Sequence, residues 1–247
     1  MTDRPTILVP VRVLEGEGVP EGTPELLGNA HVVVLGYHVL PEQTAPGQAR
    51  MQFEERANER LSKFRSMFEA AGATVESDLV FTQDKQQTFD RKIREHDCLA
   101  VLVPNATAPP ENVLVAIRGT VGVDRIARVV AGLFADTDVG VTLYHLVGES
   151  ATDEDAEILL DSVADRLVEL GMRETAIDIR IERKQQPRDA IVEAATEYDA
   201  VVMGESSTSL VTFVFGMAAD DVAEQFLGPV IVVQREKGGE EPEFGNT

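Results

Sequence analysis

Residues 199–209 have the sequence DAVVMGESSTS, the most informative stretch of the chain. The apolar run 200–203 is typical of a buried strand, and Gly204 with the small hydroxylated residues after it predicts a loop. A helix is expected next, and then a second apolar strand, VIVV at 230–233. Such a loop between a strand and a helix can hold a phosphate, because its free amide groups and the helix dipole both point at an anion.

The sequence pattern of this region is used twice in the chain. Three pairs of segments match in the same order: 7–12 with 113–118, 34–40 with 141–147, and 96–101 with 198–203. Repetition in a fixed order indicates that one α/β unit has been duplicated. The first module is expected to cover residues 1–108 and the second 109–235, while the acidic tail 236–247 has little to bury and is expected to be mobile.

Strands alternate with helices along both modules, and most of the strands are apolar throughout. This pattern predicts open, mostly parallel sheets covered by helices on both faces. We expect two such α/β sheets, the first truncated to four strands and the second with five. The predicted helices cover about 24–27, 48–71, 88–95, 123–134 and 153–170, and a further helix begins near Pro187.

The composition limits the classes of partner. The net charge is −21, and the chain has only 5 lysines among its 22 basic residues. Acidity with so little lysine favours adaptation to a cytoplasm rich in salt, where screening removes self-repulsion; the alternative is an ordinary acidic soluble protein. Nucleic acid and anionic membranes are poor partners for this surface. Without a signal-like segment or a run of eighteen apolar residues, we expect a cytoplasmic protein that does not insert into membranes.

The order of elements and the motifs resemble the universal stress protein (UspA) family, as a tandem of two modules. The resemblance covers residues 112–233 and, less specifically, 6–104. It implies a Rossmann-like fold of the adenine nucleotide alpha hydrolase-like class. In that family a strand ending in Met-Gly is followed by Gly-x2-Gly-x9-Gly-Ser/Thr, which holds ATP phosphates, and an Asp after the first strand commonly meets the adenine.

The phosphate-binding motif is matched only in part. Gly204 and Gly216 match the first and last glycines of the motif, but Ser207 replaces the middle glycine. Eight residues, 208–215, separate Ser207 from Gly216, where the family motif has nine. Arg118 or Gly119 stands where the resemblance places the adenine-contacting Asp. The first module lacks the loop, since only residues 105–112 separate its last strand from the second module. The resemblance therefore implies no cofactor and no tight ATP binding.

The charged residues near the motif also disfavour the binding of a phosphate. Glu205, Asp220 and Asp221 place carboxylates near the expected phosphate position, and no lysine lies between Lys184 and Lys237 to offset them. The alternative is a switch gated by ATP or AMP. Its candidate ligands are the remaining motif positions Gly204, Ser206, Ser207 and Gly216.

No catalytic residue and no metal site are predicted. The repeated dipeptides Tyr37-His38 and Tyr144-His145 lie in strands without a nucleophile or a telling carboxylate nearby, so structural histidines are expected. The four histidines show no metal-ligand spacing. The lone Cys98 is expected to be a small buried hydrophobe. An enzyme of the wider superfamily would need a Gly-rich pyrophosphate motif after the first strand, which is missing.

The truncated first module has an unpaired edge at its strand 98–103, and proteins normally cover such edges. Members of the resembled family associate through their fifth strands. We therefore predict that the strand 230–233 joins the two modules into a pseudo-dimer within one chain. A homodimer of two chains is the further alternative. The expected function is stress-related and regulatory, through an unknown protein partner; the resemblance also permits a membrane transporter as that partner.

Overall fold

The computed structural model describes most of the chain, and residues 206–227 and 236–247 are the longest segments outside its description. The described residues are 3–15, 18–41, 43–44, 46–119, 122–148, 152–183, 187–205 and 228–235. Of the four candidate ligand residues, only Gly204 is among them. The predictions made for Ser206, Ser207, Gly216 and the acidic tail lie outside the described residues.

Seven elements form the first half: β1 (Thr6–Arg12), α1 (Thr23–Leu26), β2 (His31–Val39), α2 (Pro46–Ala70), β3 (Thr74–Thr82), α3 (Lys85–Glu95) and β4 (Ala100–Val103). The second half contains β5 (Asn112–Ile117), α4 (Val123–Phe134), β6 (Gly140–Leu146), α5 (Asp153–Glu169), β7 (Ile177–Glu182), α6 (Pro187–Ala195), β8 (Ala200–Gly204) and β9 (Val230–Val233).

Local capping explains where two helices begin. Helix α5 starts with a capping box, in which the Thr152 hydroxyl accepts from the Asp155 amide and the Asp155 carboxylate accepts from the Thr152 amide. Helix α3 begins three residues earlier than predicted, because the Asp84 side chain accepts a hydrogen bond from the Gln87 amide and caps the helix at Lys85.

All nine strands belong to one continuous sheet of order β3-β2-β1-β4-β9-β8-β5-β6-β7. Every neighbouring pair is parallel except β4 and β9, which run antiparallel with Ala100 opposite Val233 and Val103 opposite Val230. The mostly parallel α/β architecture is confirmed. The two sheets predicted from the sequence are joined into one, because β9 pairs with β8 on one side and covers the open edge of β4 on the other.

The antiparallel join turns the two halves against each other. Because β9 is parallel to β8 and antiparallel to β4, the carboxyl ends of the first four strands lie at one edge of the sheet. The carboxyl ends of β5 to β9 lie at the opposite edge. The carboxyl ends of the strands in the two halves, where open α/β sheets bind ligands, therefore lie on opposite sides of the molecule.

Helices cover both faces of the sheet, as predicted. Helices α2, α4 and α5 pack on one face, where Phe68, Val130 and Leu160 are fully buried. Helices α3 and α6 pack on the other, through residues such as Phe89 and Ile191. Among the described residues, no helix is both long and apolar enough to cross a membrane.

Cys98 lies in the core beneath α3, and its amide donates to the carbonyl of Ile93. Burial raises the pKa of its thiol to about 12. Roughly one thiol in ten thousand is then ionised at pH 8, against about a quarter at an ordinary pKa near 8.5.

We therefore expect the folded protein to resist a thiol-specific reagent at pH 8, and the urea-unfolded protein to react completely. Cys98 is the only cysteine in the chain, so the absorbance of the released leaving group reports on this position alone. Stoichiometric labelling of the folded protein within the mixing time would contradict the burial described here.

Candidate functional site

Open α/β sheets place their ligand sites outside the carboxyl ends of the strands, where the strand order reverses. In this sheet the order reverses between β1 and β4 in the first half and between β5 and β8 in the second. We call these two positions the first crevice and the second crevice. They occupy the same place in the strand order of each half.

The first crevice is filled by the chain itself. The segment that leaves β4 lies against the segment that precedes α1: the Thr23 hydroxyl donates to the carbonyl of Asn105 (3.2 Å), and the Thr107 amide donates to the carbonyl of Glu21 (3.0 Å). Thr23 is fully buried. The Asn105 carbonyl and the Thr107 amide, which follow β4, are therefore already bonded within the protein.

Gly22 makes this close packing possible. Its φ of 78° lies in the left-handed region, and a Cβ atom added to it would lie 2.1 Å from the backbone oxygen of Thr107. No side chain fits at that distance, so the two backbone segments can meet only at glycine. A ligand placed between these two segments would have to separate them.

The second crevice has a different lining. Strand β8 ends at Gly204, and β5 ends at Ile117, followed by the exposed Arg118. An added Cβ at Gly204 would lie 3.4 Å from the Cδ1 atom of Ile126 in the second turn of α4. Gly204 is thus at the carboxyl edge where the sequence predicts it, packed against the helix that follows β5.

Glu205 is directed toward the end of β9. Its amide donates to the carbonyl of Val233 (2.7 Å), and its carboxylate accepts from the amide of Arg235 (3.2 Å). The Arg235 guanidinium in turn donates to the carbonyl of Glu205 (3.0 Å). A basic residue two positions beyond β9, Arg235, therefore lies beside Glu205, and a count of lysines alone does not include it.

A second arginine that the sequence reasoning missed lies in the first turn of α4. The Nε atom of Arg125 is buried, and no hydrogen-bond partner for it is found within the described parts of the chain. Its position three residues after the helix N-cap, next to the end of β5, is the signal that could have identified it. Two basic residues, Arg118 and Arg125, therefore lie near the second crevice, although the chain as a whole has a net charge of −21.

Comparison with solved structures identifies the architecture. A crystal structure of a universal stress protein from Archaeoglobus fulgidus DSM 4304 matches 93% of this chain and 96% of its own, with a TM-score of 0.65 at 18% sequence identity. This chain has the universal stress protein fold. A structure from Pseudomonas aeruginosa UCBPP-PA14, assigned provisionally as a universal stress protein, matches 95% of this chain and 94% of its own, with a TM-score of 0.51 and 14% identity.

The comparisons of sequence gave no match, either with protein-family models or with curated proteins. The likeness is therefore one of fold. The fold that the resemblance implies is confirmed over 93% of the chain.

Within this universal stress protein fold, the histidines of the two repeated Tyr-His dipeptides, His38 and His145, contact backbone and aromatic groups. The His145 ring shares a hydrogen bond between Nδ1 and the carbonyl of Ile117 (2.8 Å), which ties β6 to the end of β5. His38 lies near the rings of Phe53 and Phe81, with centroids 6.4 and 6.3 Å away. Its Nδ1 atom is buried and has no partner among the described residues. Neither ring contacts a nucleophile in that part of the protein.

The neighbouring tyrosines are buried as well. The Tyr37 hydroxyl accepts from Arg12 Nε (3.0 Å), and the Tyr144 hydroxyl donates to the Glu182 carboxylate (3.2 Å). Burial, with the nearby Glu182 charge, raises the pKa of Tyr144 above its ordinary value. A raised pKa makes this hydroxyl a weaker proton donor, so it is an unsuitable general acid.

The fold also assembles a group that the sequence spacing does not reveal. Asp78, Glu95 and His96 each bring a possible metal-ligating atom within 4.8 Å of the others. The ammonium of Lys92 lies 2.6 Å from both carboxylates and supplies the positive charge there. Burial raises the pKa of Asp78, but the hydrogen bond and charge of Lys92 outweigh it and hold the pKa below its ordinary value.

Proposed function

We propose that this protein is a non-catalytic regulatory protein of the stress response, of tandem universal stress protein type, which does not bind ATP tightly. One observation carries the proposal: residues 21–23 and 105–107 fill the first crevice, and Gly22 lets their backbones meet. The first module is then a structural partner of the second rather than a nucleotide-binding unit.

The second crevice supports the same proposal. Arg118 or Gly119 stands where the family resemblance places an adenine-contacting carboxylate, and the phosphate motif keeps Gly204 but has Ser207 in place of its middle glycine. Without the carboxylate the pocket loses an acceptor for the adenine, and a side chain in place of the middle glycine hinders close approach of the backbone to a phosphate. The protein then acts by binding a partner protein or a small ligand in the second crevice, in a cytoplasm of high salt content.

The hydrogen bonds and pKa values of the reactive side chains support the absence of catalysis. His145 is bound to the β5 backbone, and burial raises the pKa of both Tyr144 and Cys98, so that neither group is activated. Catalytic sites shift pKa values toward the working pH, not away from it.

A second candidate function is an adenine-nucleotide switch at the second crevice. It is favoured by Arg125, whose buried Nε has no partner in the described part of the structure, and by Arg118 nearby. Arginines near a helix N-terminus suit phosphate. Ser206, Ser207 and Gly216 would complete the site, with ATP or AMP as the ligand.

Titration of ATP and AMP in molar KCl, followed by melting temperature, separates the two functions. A ligand at one hundred times its dissociation constant stabilises a protein by roughly 2.7 kcal/mol. We expect no shift at millimolar nucleotide.

The variant Gly204→Val sharpens this test, because its methyl groups would press on Ile126 beside the crevice. Gly47→Val is the matched control, since an added Cβ at Gly47 meets nothing within 4 Å. A steep rise in melting temperature that Gly204→Val removes and Gly47→Val keeps would establish the switch in place of the proposed function.

A further inference from the structure

A groove of about 480 Å³ lies between helix α5 and strand β7, at one end of the nine-stranded sheet. We call it the α5–β7 groove. It is lined by four apolar and three acidic residues: Ala164, Val168, Ile177, Ile179, Asp161, Asp165 and Glu174. It is separate from both crevices, because its lining comes from the outer face of α5 and from the last strand of the sheet.

The groove exposes apolar side chains that could be buried by a partner. Val168 and Ile179 are each 42% exposed, and Ile158, further along the same face of α5, is 64% exposed. Across the described residues, five large apolar side chains are this exposed, and these are three of them. Clusters of this kind, with a polar rim, mark interaction surfaces more often than scattered apolar residues do.

The charge around the groove is of one sign. The structure gives no ion pair to Asp161, Asp165 or Glu174 among the residues it describes, and no basic residue lines the groove. Two other carboxylates of the same helix are paired: Asp153 binds Arg183, and Glu169 binds Arg166. Three unpaired carboxylates beside an apolar floor are complementary to a segment that carries both apolar and basic side chains.

A second copy of this chain does not fit that requirement. It would bring the same acidic rim into contact with itself, and each chain carries a net charge of −21. Like charges placed opposite each other at an interface disfavour association. An anionic lipid surface is disfavoured for the same reason.

We propose that the α5–β7 groove binds a basic amphipathic segment of a partner protein. Apolar side chains of that segment pack on Val168 and Ile179, and its lysines or arginines pair with Asp161, Asp165 and Glu174. Helical segments present side chains in this way when apolar and basic residues recur every three or four positions. The proposal concerns a surface of its own and holds whether or not a nucleotide binds in the second crevice.

The test uses a labelled synthetic peptide of leucine and lysine at helical spacing, with a scrambled peptide of the same composition. Binding to the full-length protein is followed by fluorescence anisotropy at 0.15 M and 1 M KCl. We expect the amphipathic peptide to bind more tightly than the scrambled one. At 0.15 M KCl the double variant Asp161→Asn, Asp165→Asn should weaken binding by roughly tenfold.

The chain offers a matched control for charge. Glu55 and Glu59 are exposed on α2 with the same spacing of four residues, so Glu55→Gln, Glu59→Gln removes the same charge elsewhere. This control should change binding by less than about twofold, since distant exposed charges are screened. Equal losses in the two double variants would overturn the proposal, because they would show non-specific attraction to an acidic protein.

The apolar floor is tested at 1 M KCl, where charge is screened within about 3 Å. Val168→Ser should weaken binding severalfold there, while Met51→Ser, at a residue that is 91% exposed on α2, should not. An affinity at 1 M KCl that Val168→Ser leaves unchanged would overturn the proposal. So would sedimentation showing a homodimer that Val168→Ser dissociates, since the occupant would then be a second copy.

Discussion

Changing Ile231 to alanine should lower the free energy of unfolding by about 2–5 kcal/mol, the cost of removing a large buried side chain from a core. Ile231 is fully buried in β9, where it lies opposite Leu102 of β4 and beside Val202 of β8. The strand thus borders both halves of the sheet. Urea unfolding of the variant and the wild type, followed by circular dichroism, measures the difference.

The control for this substitution is Ile158→Ala. Ile158 is 64% exposed on α5, so losing the same atoms there should change the stability by no more than about 0.5 kcal/mol. Because β9 pairs with strands of both modules, we expect a single transition that Ile231→Ala moves as a whole. Two transitions, only one of which moved, would contradict a β9 shared between the modules.

Changing Gly22 to alanine should also be severely destabilising, by about 2–5 kcal/mol in total. Roughly 1–2 kcal/mol comes from placing a side chain in the left-handed region, since φ at Gly22 is 78°. About 1–3 kcal/mol more comes from overpacking, because the new Cβ would lie 2.1 Å from the Thr107 oxygen. This substitution tests directly whether the chain fills the first crevice.

Gly122 provides a close control for this prediction. It also has φ of 78°, but an added Cβ there meets nothing within 4 Å. Gly122→Ala therefore carries the backbone strain without the collision. If the two variants lost equal stability in urea unfolding, the contact between residues 21–23 and 105–107 would not be as tight as described.

The join between the modules could be predicted from chain length together with the family resemblance. Residues 105–112 are too few to form another helix and strand, so the edge of β4 needed a strand from elsewhere, and a family that associates through its fifth strands pointed to the segment 230–233. The structure pairs these segments directly. The antiparallel sense of that pairing, which makes one sheet of two, depends on tertiary packing that no local pattern encodes.

The filled first crevice could not be predicted, because it depends on contacts between residues far apart in sequence. Thr23 and Asn105, which form one of its hydrogen bonds, are 82 residues apart. The sequence showed only that residues 15–29 are rich in glycine and proline. A stretch of that composition indicates a loop but not what the loop covers.

The second crevice was predicted in part. Gly204 lies at the carboxyl end of β8, as the alternation of strands and helices requires. Two arginines near it were not considered, since Arg125 and Arg235 come from α4 and from just beyond β9 rather than from the loop itself. The group of Asp78, Glu95 and His96 escaped notice for a similar reason: packing of α3 on β3 creates it, and sequence spacing does not.

Equilibrium dialysis of labelled ATP with magnesium against the full-length protein in 1 M KCl tests the central claim most directly. The account predicts no saturable binding up to about 1 mM, which means a binding free energy weaker than roughly −4 kcal/mol. Saturation at one equivalent with a micromolar dissociation constant would contradict the proposed function and assign the second crevice to a nucleotide. Saturation at two equivalents would contradict the filled first crevice as well.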